Sequence, residues 1–244
     1  MIVFLTSSPT GPLDKSRIVD GFDPKNRLIE NLEERWKAEA RCLLISASPA
    51  QPEFADGMRD HMREALRLSG FSCGAFDIWD DRTADFSEEV LRSYDVVFLG
   101  GGHVPTQNAF FQRISLREKI KQFEGLVIGI SAGTMNSADV VYAQPELEGE
   151  ATNPDYKRFI TGLGLTKINV LPHYQMIKNS VLDGMRVFED ITYADSMGRE
   201  FIALVDGSYI LCENGTETIC GEAYRIADGV LEQICEENQI LQIQ

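Results

Sequence analysis

The chain has 244 residues, and its 38 acidic and 23 basic side chains give a formal net charge of −15 at pH 7. A field of this sign repels phosphate backbones and anionic lipid headgroups, so we expect neither nucleic acid nor a membrane as a partner. The apolar run at 1–5 is too short for the apolar region of a secretory signal or for a transmembrane helix. The five cysteines lack C-x-x-C spacing. We therefore expect a cytoplasmic protein with reduced thiols and no zinc site.

Short apolar runs alternate with helical patterns along most of the chain. The runs predict strands, in chain order, at 2–5, 42–45, 74–78, 96–99, 126–130, 168–171, 201–205 and 209–212. Helical spacing of apolar residues predicts helices at 25–39, 54–68, 87–93 and 106–123. Continuously apolar strands separated by helices are typical of a parallel sheet that is covered on both faces.

The end of the chain has a different pattern. From Phe201 onward, short apolar runs are separated by the turn signals Asp206-Gly207, Asn214-Gly215 and Asp228-Gly229, which are typical of hairpins. We therefore predict a single α/β domain over residues 1–244. Its doubly wound, mostly parallel sheet is flanked by helices and carries a C-terminal antiparallel hairpin extension.

The stretch Gly129-Ile130-Ser131-Ala132-Gly133 directly follows an apolar strand pattern. A strand that ends in G-x-S-x-G and leads into a helix predicts a nucleophile elbow, a sharp turn that lifts the serine hydroxyl above the sheet. The backbone N–H of Ala132 could then stabilise an oxyanion. A turn of small residues also packs well without chemistry, so this structural interpretation stands beside the catalytic one.

A serine nucleophile needs a base, and His173 is the one histidine that follows Ser131 in the sequence. It comes just after a predicted strand, at the sheet edge where sites form in open α/β folds. A local loop hydrogen bond is the alternative role for this histidine. The acid that would orient it has several candidates, namely Asp183, Glu189, Asp190, Asp195 and Asp206. Asp206 follows a strand, but Asp206-Gly207 is also a good hairpin turn.

Three glycines, Gly100, Gly101 and Gly102, follow the predicted strand at 96–99 and precede His103. They let backbone N–H groups approach a ligand closely, so a second oxyanion donor is expected here. Nucleotide binding is the weaker interpretation, because the lysine of a P-loop and the later glycine of G-x-G-x-x-G are missing. His103 could contact substrate or serve as a polar loop residue.

The order of Ser131, His173 and Asp206 differs from the serine, acid, histidine order of α/β-hydrolases. The glycine run, the G-x-S-A-G strand end and the later Pro172-His173 pair instead resemble the peptidase E (aspartyl dipeptidase) family. These are serine peptidases with a class I glutamine amidotransferase-like fold, and cyanophycinase is a more distant relative. Fold relatives that transfer glutamine nitrogen use cysteine at the elbow, so Ser131 argues against that activity.

The resemblance implies a role for each matching residue. Ser131 becomes the nucleophile and His173 the general base. Asp206, in the turn Leu204-Val205-Asp206-Gly207, becomes the acid. The backbone N–H groups of Ala132 and of Gly101 or Gly102 become the oxyanion donors.

The chain also departs from the family. Asparagine commonly follows the family's glycines, where this chain has His103. Selection of an N-terminal aspartate requires a basic side chain that binds the substrate carboxylate. The candidates are Arg113, Arg158 and Lys178, and for each of them the alternative is a solvated charge on the surface.

The sequence thus predicts a serine hydrolase that cleaves an amide bond of a short peptide, such as an N-terminal aspartyl dipeptide, through an acyl-enzyme. Neither a metal nor an organic cofactor is implied. One alternative is a catalytically silent binding or regulatory protein on the same fold, and another is an amidase for a non-peptide amide. Hydrogen-bond reach from His173 to both Ser131 and Asp206 would favour catalysis.

Overall fold

The computed structural model of the protein describes residues 1–12 and 20–243. Its strands are β1 Ile2–Thr6, β2 Ala40–Ile45, β3 Cys73–Trp79, β4 Val96–Leu99, β5 Leu126–Ile130, β6 Val140–Tyr142, β7 Phe159–Thr161, β8 Asn169–Leu171, β9 Val181–Leu182, β10 Met185–Arg186, β11 Glu200–Leu204, β12 Tyr209–Glu213, β13 Thr216–Cys220, β14 Ala223–Ala227, β15 Val230–Cys235 and β16 Ile240–Ile243. Its α-helices are α1 Leu28–Glu33, α2 Pro52–Leu68, α3 Glu88–Arg92, α4 Val104–Arg113, α5 Leu116–Ile120, α6 Ala132–Asn136, α7 Tyr174–Ile177 and α8 Tyr193–Asp195. A 3₁₀ turn at Lys25–Arg27 and a π-helical segment at Val187–Thr192 complete the described elements.

The main sheet has eight strands in the order β16-β13-β12-β1-β5-β4-β2-β3. Strands β1 to β5 run parallel, whereas β12, β13 and β16 extend the sheet with antiparallel pairings. All four residues of β4 are buried, as expected for a parallel strand covered on both faces. The predicted α/β fold, with its mainly parallel sheet and antiparallel C-terminal strands, is confirmed.

A second sheet of four strands has the order β15-β14-β11-β8, with β11 parallel to β8 and the other pairs antiparallel. The sequence correctly places strands at 168–171 and 201–205, but the expectation that they extend the main sheet is wrong. An apolar run indicates that a strand is buried, but it does not indicate which other strand pairs with it.

Alternate side chains of the main sheet enter two different cores. On β4, Val97 and Leu99 pack into the core beneath α4 and α5, whereas Val96 and Phe98 pack into the core beneath α2. A third apolar cluster, which includes Ala132, joins α6 to the second sheet. The helices therefore cover both faces of the main sheet, and α6 lies where the two sheets meet.

Two helix predictions need correction. The segment 106–123 forms α4 and α5 rather than one helix, because Ser115 adopts a left-handed conformation with φ +52°. The segment 25–39 forms the 3₁₀ turn followed by the short helix α1, because Asn26 and Arg27 have φ of +58° and +60°. Within residues 1–12 and 20–243, no helix is both long and apolar enough to span a membrane.

Two of the three predicted hairpin turns are present in the structure, and the third is not. Asn214-Gly215 joins β12 to β13 and Asp228-Gly229 joins β14 to β15, so both predicted hairpins are present. Asp206-Gly207 does not close a hairpin, because β11 and β12 belong to different sheets. The Asp206 side chain is consequently placed at the crossing between the sheets.

Candidate active site

Ser131 lies in the sharp turn between β5 and α6, with φ +51° and ψ −111°. This region is unfavourable for a residue with a side chain and persists only where neighbouring structure imposes it. Gly133 permits the turn, because a Cβ there would lie 2.1 Å from the Leu99 carbonyl oxygen. The first turn of α6 can therefore rest directly on the end of β4.

Hydrogen bonds from β1 hold the turn in place. The Ser131 N–H and the Thr134 hydroxyl both donate to the Thr6 carbonyl oxygen, at 3.2 and 2.7 Å. The Thr6 hydroxyl donates to the Gly129 carbonyl oxygen at 2.7 Å. The strained serine is thus fixed from both sides by groups that are themselves buried.

His173 and Asp206 form the central polar contact of the region. Nδ1 of His173 lies 2.6 Å from Oδ1 of Asp206. The Asp206 side chain is only 1% exposed, while that of His173 is 29% exposed. A buried carboxylate needs several partners to offset its lost hydration, and Gln175 Nε2 donates to Oδ2 of Asp206 at 2.5 Å.

Two residues of this network were not predicted from the sequence, Ser7 and Gln175. The Ser7 hydroxyl donates to Oδ1 of Asp206 at 2.7 Å and accepts the His173 backbone N–H at 2.7 Å. Gln175 also accepts the Asp206 backbone N–H at 3.1 Å. A small polar residue directly after β1 was the available signal for Ser7, whereas Gln175 offered none.

Ser131 and His173 line the same cavity, which has a volume of about 320 Å³. The other lining residues are mostly apolar or neutral, namely Gly102, Val104, Met135, Gln144, Pro145, Glu146, Pro172, Ile177, Ser180, Val181, Leu182 and Val187. Among the described contacts, Ser131 Oγ and His173 share no direct hydrogen bond; such bonds commonly tighten when substrate binds. A larger cavity of about 430 Å³ lies at the opposite edge of the sheet and contains neither residue.

The predicted oxyanion donors lie next to the serine. Ala132 is the first residue of α6, where a backbone N–H has no partner within the helix. A Cβ built on Gly101 would lie 3.4 Å from the Ser131 Cβ, and Gly102 has φ +152° and lines the cavity. Backbone from the ends of β4 and β5 therefore lies beside the Ser131 side chain.

His103 connects the glycine loop to the segment 144–150. Its Nδ1 lies 2.8 Å from the Thr106 hydroxyl and its Nε2 lies 2.8 Å from Oε1 of Glu150. Oε2 of Glu150 accepts the backbone N–H groups of Glu146 and Leu147, both at 2.9 Å. Burial raises the pKa of Glu150, but these hydrogen bonds outweigh it, so the pKa of Glu150 lies below its usual value.

The remaining acid candidates have other partners or lie in solvent. Asp183 accepts the N–H groups of Gly149 and Ala151, and Asp190 pairs with Arg186. Asp195 accepts a hydrogen bond from the Tyr142 hydroxyl, and Glu189 is exposed. Of the five candidates, Asp206 is the one bonded to His173.

The basic residues considered for an acidic substrate lie elsewhere. Arg113 pairs with Asp81, Arg158 pairs with Asp195, and Lys178 lies over the Tyr174 ring. In the described part of the chain, no group of three or more histidine, cysteine or acidic side chains could hold a metal ion.

A serine on a strained strand-to-helix turn, beside a cleft lined by a histidine that is paired with a buried aspartate, is the arrangement of serine hydrolases. The comparison with protein families narrows this class. Residues 21–220 match the model of peptidase family S51. The chain therefore belongs to peptidase family S51, the serine peptidase family that includes peptidase E.

Solved structures agree on the fold. A peptidase from an acI-B1 Actinobacterium matches with a TM-score of 0.60 and 16% sequence identity, over 99% of this chain and 96% of that one. A candidate peptidase E from Listeria monocytogenes EGD-e matches with a TM-score of 0.57 and 14% identity, over 96% of this chain and 98% of that one. No curated protein sequence matches the chain.

Proposed function

We propose that this serine peptidase cleaves short peptides through Ser131, His173 and Asp206. His173 removes the proton from the Ser131 hydroxyl as the oxygen attacks the substrate carbonyl carbon. The oxyanion is stabilised by the backbone N–H groups of Ala132 and of Gly101 or Gly102. His173 then protonates the leaving amine, and water, deprotonated by the same imidazole, hydrolyses the acyl-enzyme and frees Ser131.

The contact between His173 and Asp206 is the observation that carries this proposal. A carboxylate at 2.6 Å from Nδ1 selects the tautomer in which Nδ1 carries the proton, and Nε2 is then the basic nitrogen. The same carboxylate stabilises the imidazolium that forms during attack. A purely structural role would not require His173 to line the same cavity as the strained Ser131.

The cavity supports a small substrate. Its volume of about 320 Å³ is near the lower end of the range typical of small-molecule sites. A dipeptide or similarly short peptide can enter a cleft of this size with its scissile bond above Ser131, whereas a folded protein chain cannot.

Hydrolysis of a dipeptide panel by the wild type, Ser131→Ala and Ser93→Ala tests the proposal. Ser93 is exposed at the end of α3, at the edge of the sheet opposite to the cleft, so its variant is a matched control. We expect cleavage and labelling by a fluorophosphonate in the wild type and Ser93→Ala alone. Labelling of Ser131→Ala, or undiminished turnover by it, would contradict the assignment.

A further inference from the structure

We propose that the Glu146 carboxylate binds the α-ammonium group of the substrate, so that the enzyme selects short peptides with a free amino terminus and an apolar first side chain. This inference rests on the proposed function. It assigns a specificity-determining residue to the cleft that holds Ser131 and His173.

The charge of the cleft is the first observation. Among the described residues that line it, His173 and Glu146 are the only ones with acidic or basic side chains, and neither lysine nor arginine is present. Since His173 is assigned to proton transfer, Glu146 provides the one fixed charge available to a ligand. A negative charge at that place favours a cationic group of the substrate.

The missing partner of Glu146 is the second observation. Neighbouring carboxylates are saturated with protein donors: Glu150 accepts two backbone N–H groups and contacts His103, and Asp183 accepts two further N–H groups. In the described chain, no hydrogen bond from a protein donor reaches the carboxylate of Glu146. The Glu146 residue is exposed, so its carboxylate is accessible to a ligand. Partial desolvation raises the pKa of Glu146, with a smaller increase from Glu150 and opposing decreases from His103 and His173.

The backbone around Glu146 is held in place although its carboxylate is left unbonded. Glu150 binds the Glu146 N–H, His103 binds Glu150, and Asp183 binds Gly149 and Ala151. These bonds link the segment to α4 and to the turn between β9 and β10. The fixed backbone keeps the Glu146 side chain at the wall of the cleft, so only the torsions of that side chain have to be restricted when a ligand binds.

The rest of the cleft is suited to an uncharged side chain. Val104, Met135, Ile177, Leu182 and Val187 contribute apolar surface to the cavity. Contact with these apolar residues makes the binding free energy of an aliphatic side chain more favourable. A substrate carboxylate would lose its hydration there and would be repelled by the Glu146 carboxylate. The negative charge of Glu146 and the apolar lining of the cleft together predict a substrate with a free α-ammonium group and an apolar first side chain.

Steady-state kinetics of wild type and Glu146→Gln with matched substrates test the inference. The substrates are a leucyl anilide, its N-acetylated form, an N-acetyl-lysyl anilide and an aspartyl anilide. Glu148→Gln is the control, because Glu148 is an exposed acid of the same segment that does not line the cavity. We expect Glu146→Gln to raise KM for the leucyl anilide by about 10- to 100-fold, as for loss of a charge-assisted hydrogen bond, with kcat changed much less.

Each outcome decides the matter. The N-acetylated leucyl substrate should bind weakly to the wild type and equally weakly to Glu146→Gln, and Glu148→Gln should behave as wild type. Equal KM values for the leucyl anilide in wild type and Glu146→Gln would overturn the inference. Preference for the N-acetyl-lysyl substrate would overturn the α-ammonium assignment, and preference for the aspartyl substrate would overturn the predicted selection of an apolar first side chain. Labelling of Ser131 by fluorophosphonate together with these failures would leave the proposed function standing, whereas absence of labelling and turnover would contradict both.

Discussion

The Ser7 hydroxyl lies 2.7 Å from Oδ1 of Asp206 and receives the backbone N–H of His173 at the same distance. One buried hydroxyl at the end of β1 therefore bonds to both members of the histidine–aspartate pair. Since β1 also holds the Ser131 turn through Thr6, a single strand end positions all three proposed catalytic groups.

Replacement Ser7→Ala tests this positioning role. The variant loses one hydrogen bond to Asp206 and one from His173, so we expect kcat to fall by about 10-fold while KM stays within about twofold. An unchanged kcat would show that Ser7 only fills space.

Asp206→Asn addresses the acid directly. The amide keeps the shape of the side chain but favours the wrong histidine tautomer, so we expect kcat to fall by about 1000-fold or more. Asp190→Asn is the matched control, because Asp190 forms only a surface pair with Arg186. A decrease of less than about tenfold in Asp206→Asn would mean that another group orients His173.

Gly133→Ala tests the close packing of α6 on β4. The added Cβ would overlap the Leu99 carbonyl oxygen, so we expect the free energy of unfolding to fall by about 1–3 kcal/mol or more. Gly57→Ala, inside α2 with open space around it, should instead raise that free energy by about 0.5–1 kcal/mol. Denaturant titration measures both; equal stability of Gly133→Ala and wild type would contradict the packing described for the turn.

The raised pKa of Glu146 predicts a pH dependence of substrate binding. As the pH is lowered, the Glu146 carboxylate takes up a proton before an ordinary glutamate does, and its negative charge is lost. KM for a free-amine peptide should therefore rise on lowering the pH, beginning at a pH at which ordinary glutamates are still ionised. His103, Glu150 and His173 are the ionisable groups that act on it. The N-acetylated peptide and Glu146→Gln are the controls; if they show the same rise in KM, Glu146 is not its source.

Cys73 should be the most reactive of the five thiols. Interaction with the Cys42 thiol, together with the nearby Arg63 charge, lowers the pKa of Cys73 to about 7, whereas the pKa values of Cys42 and of the other three thiols are raised. The thiolate is the reactive form, so iodoacetamide at neutral pH should modify Cys73 first, as read by peptide mass spectrometry. Faster modification of Cys212, which is also partly exposed, would contradict this order.

Much of the site could be predicted because Ser131, His173 and Asp206 each follow an apolar strand, and that pattern is local. Ser7 and Glu146 could not, since their importance depends on which distant segments meet them. The division into two sheets was missed for the same reason, because β8 and β11 have the same apolar character as strands of the main sheet. Ser115 ends the helix through its left-handed backbone conformation, and a serine in the sequence does not predict that conformation.

The nucleophile turn follows a strand of the main sheet, whereas His173 and Asp206 follow strands of the second sheet. The main sheet itself is completed by β12, β13 and β16 from the end of the chain, and β12 pairs with β1. During synthesis, the proposed triad can therefore assemble only after β8 and β11 have been made and have packed against α6. A chain that ends before Asp206 lacks the acid of the proposed triad, and a change that separates the second sheet from the turn between β5 and α6 would abolish the proposed activity.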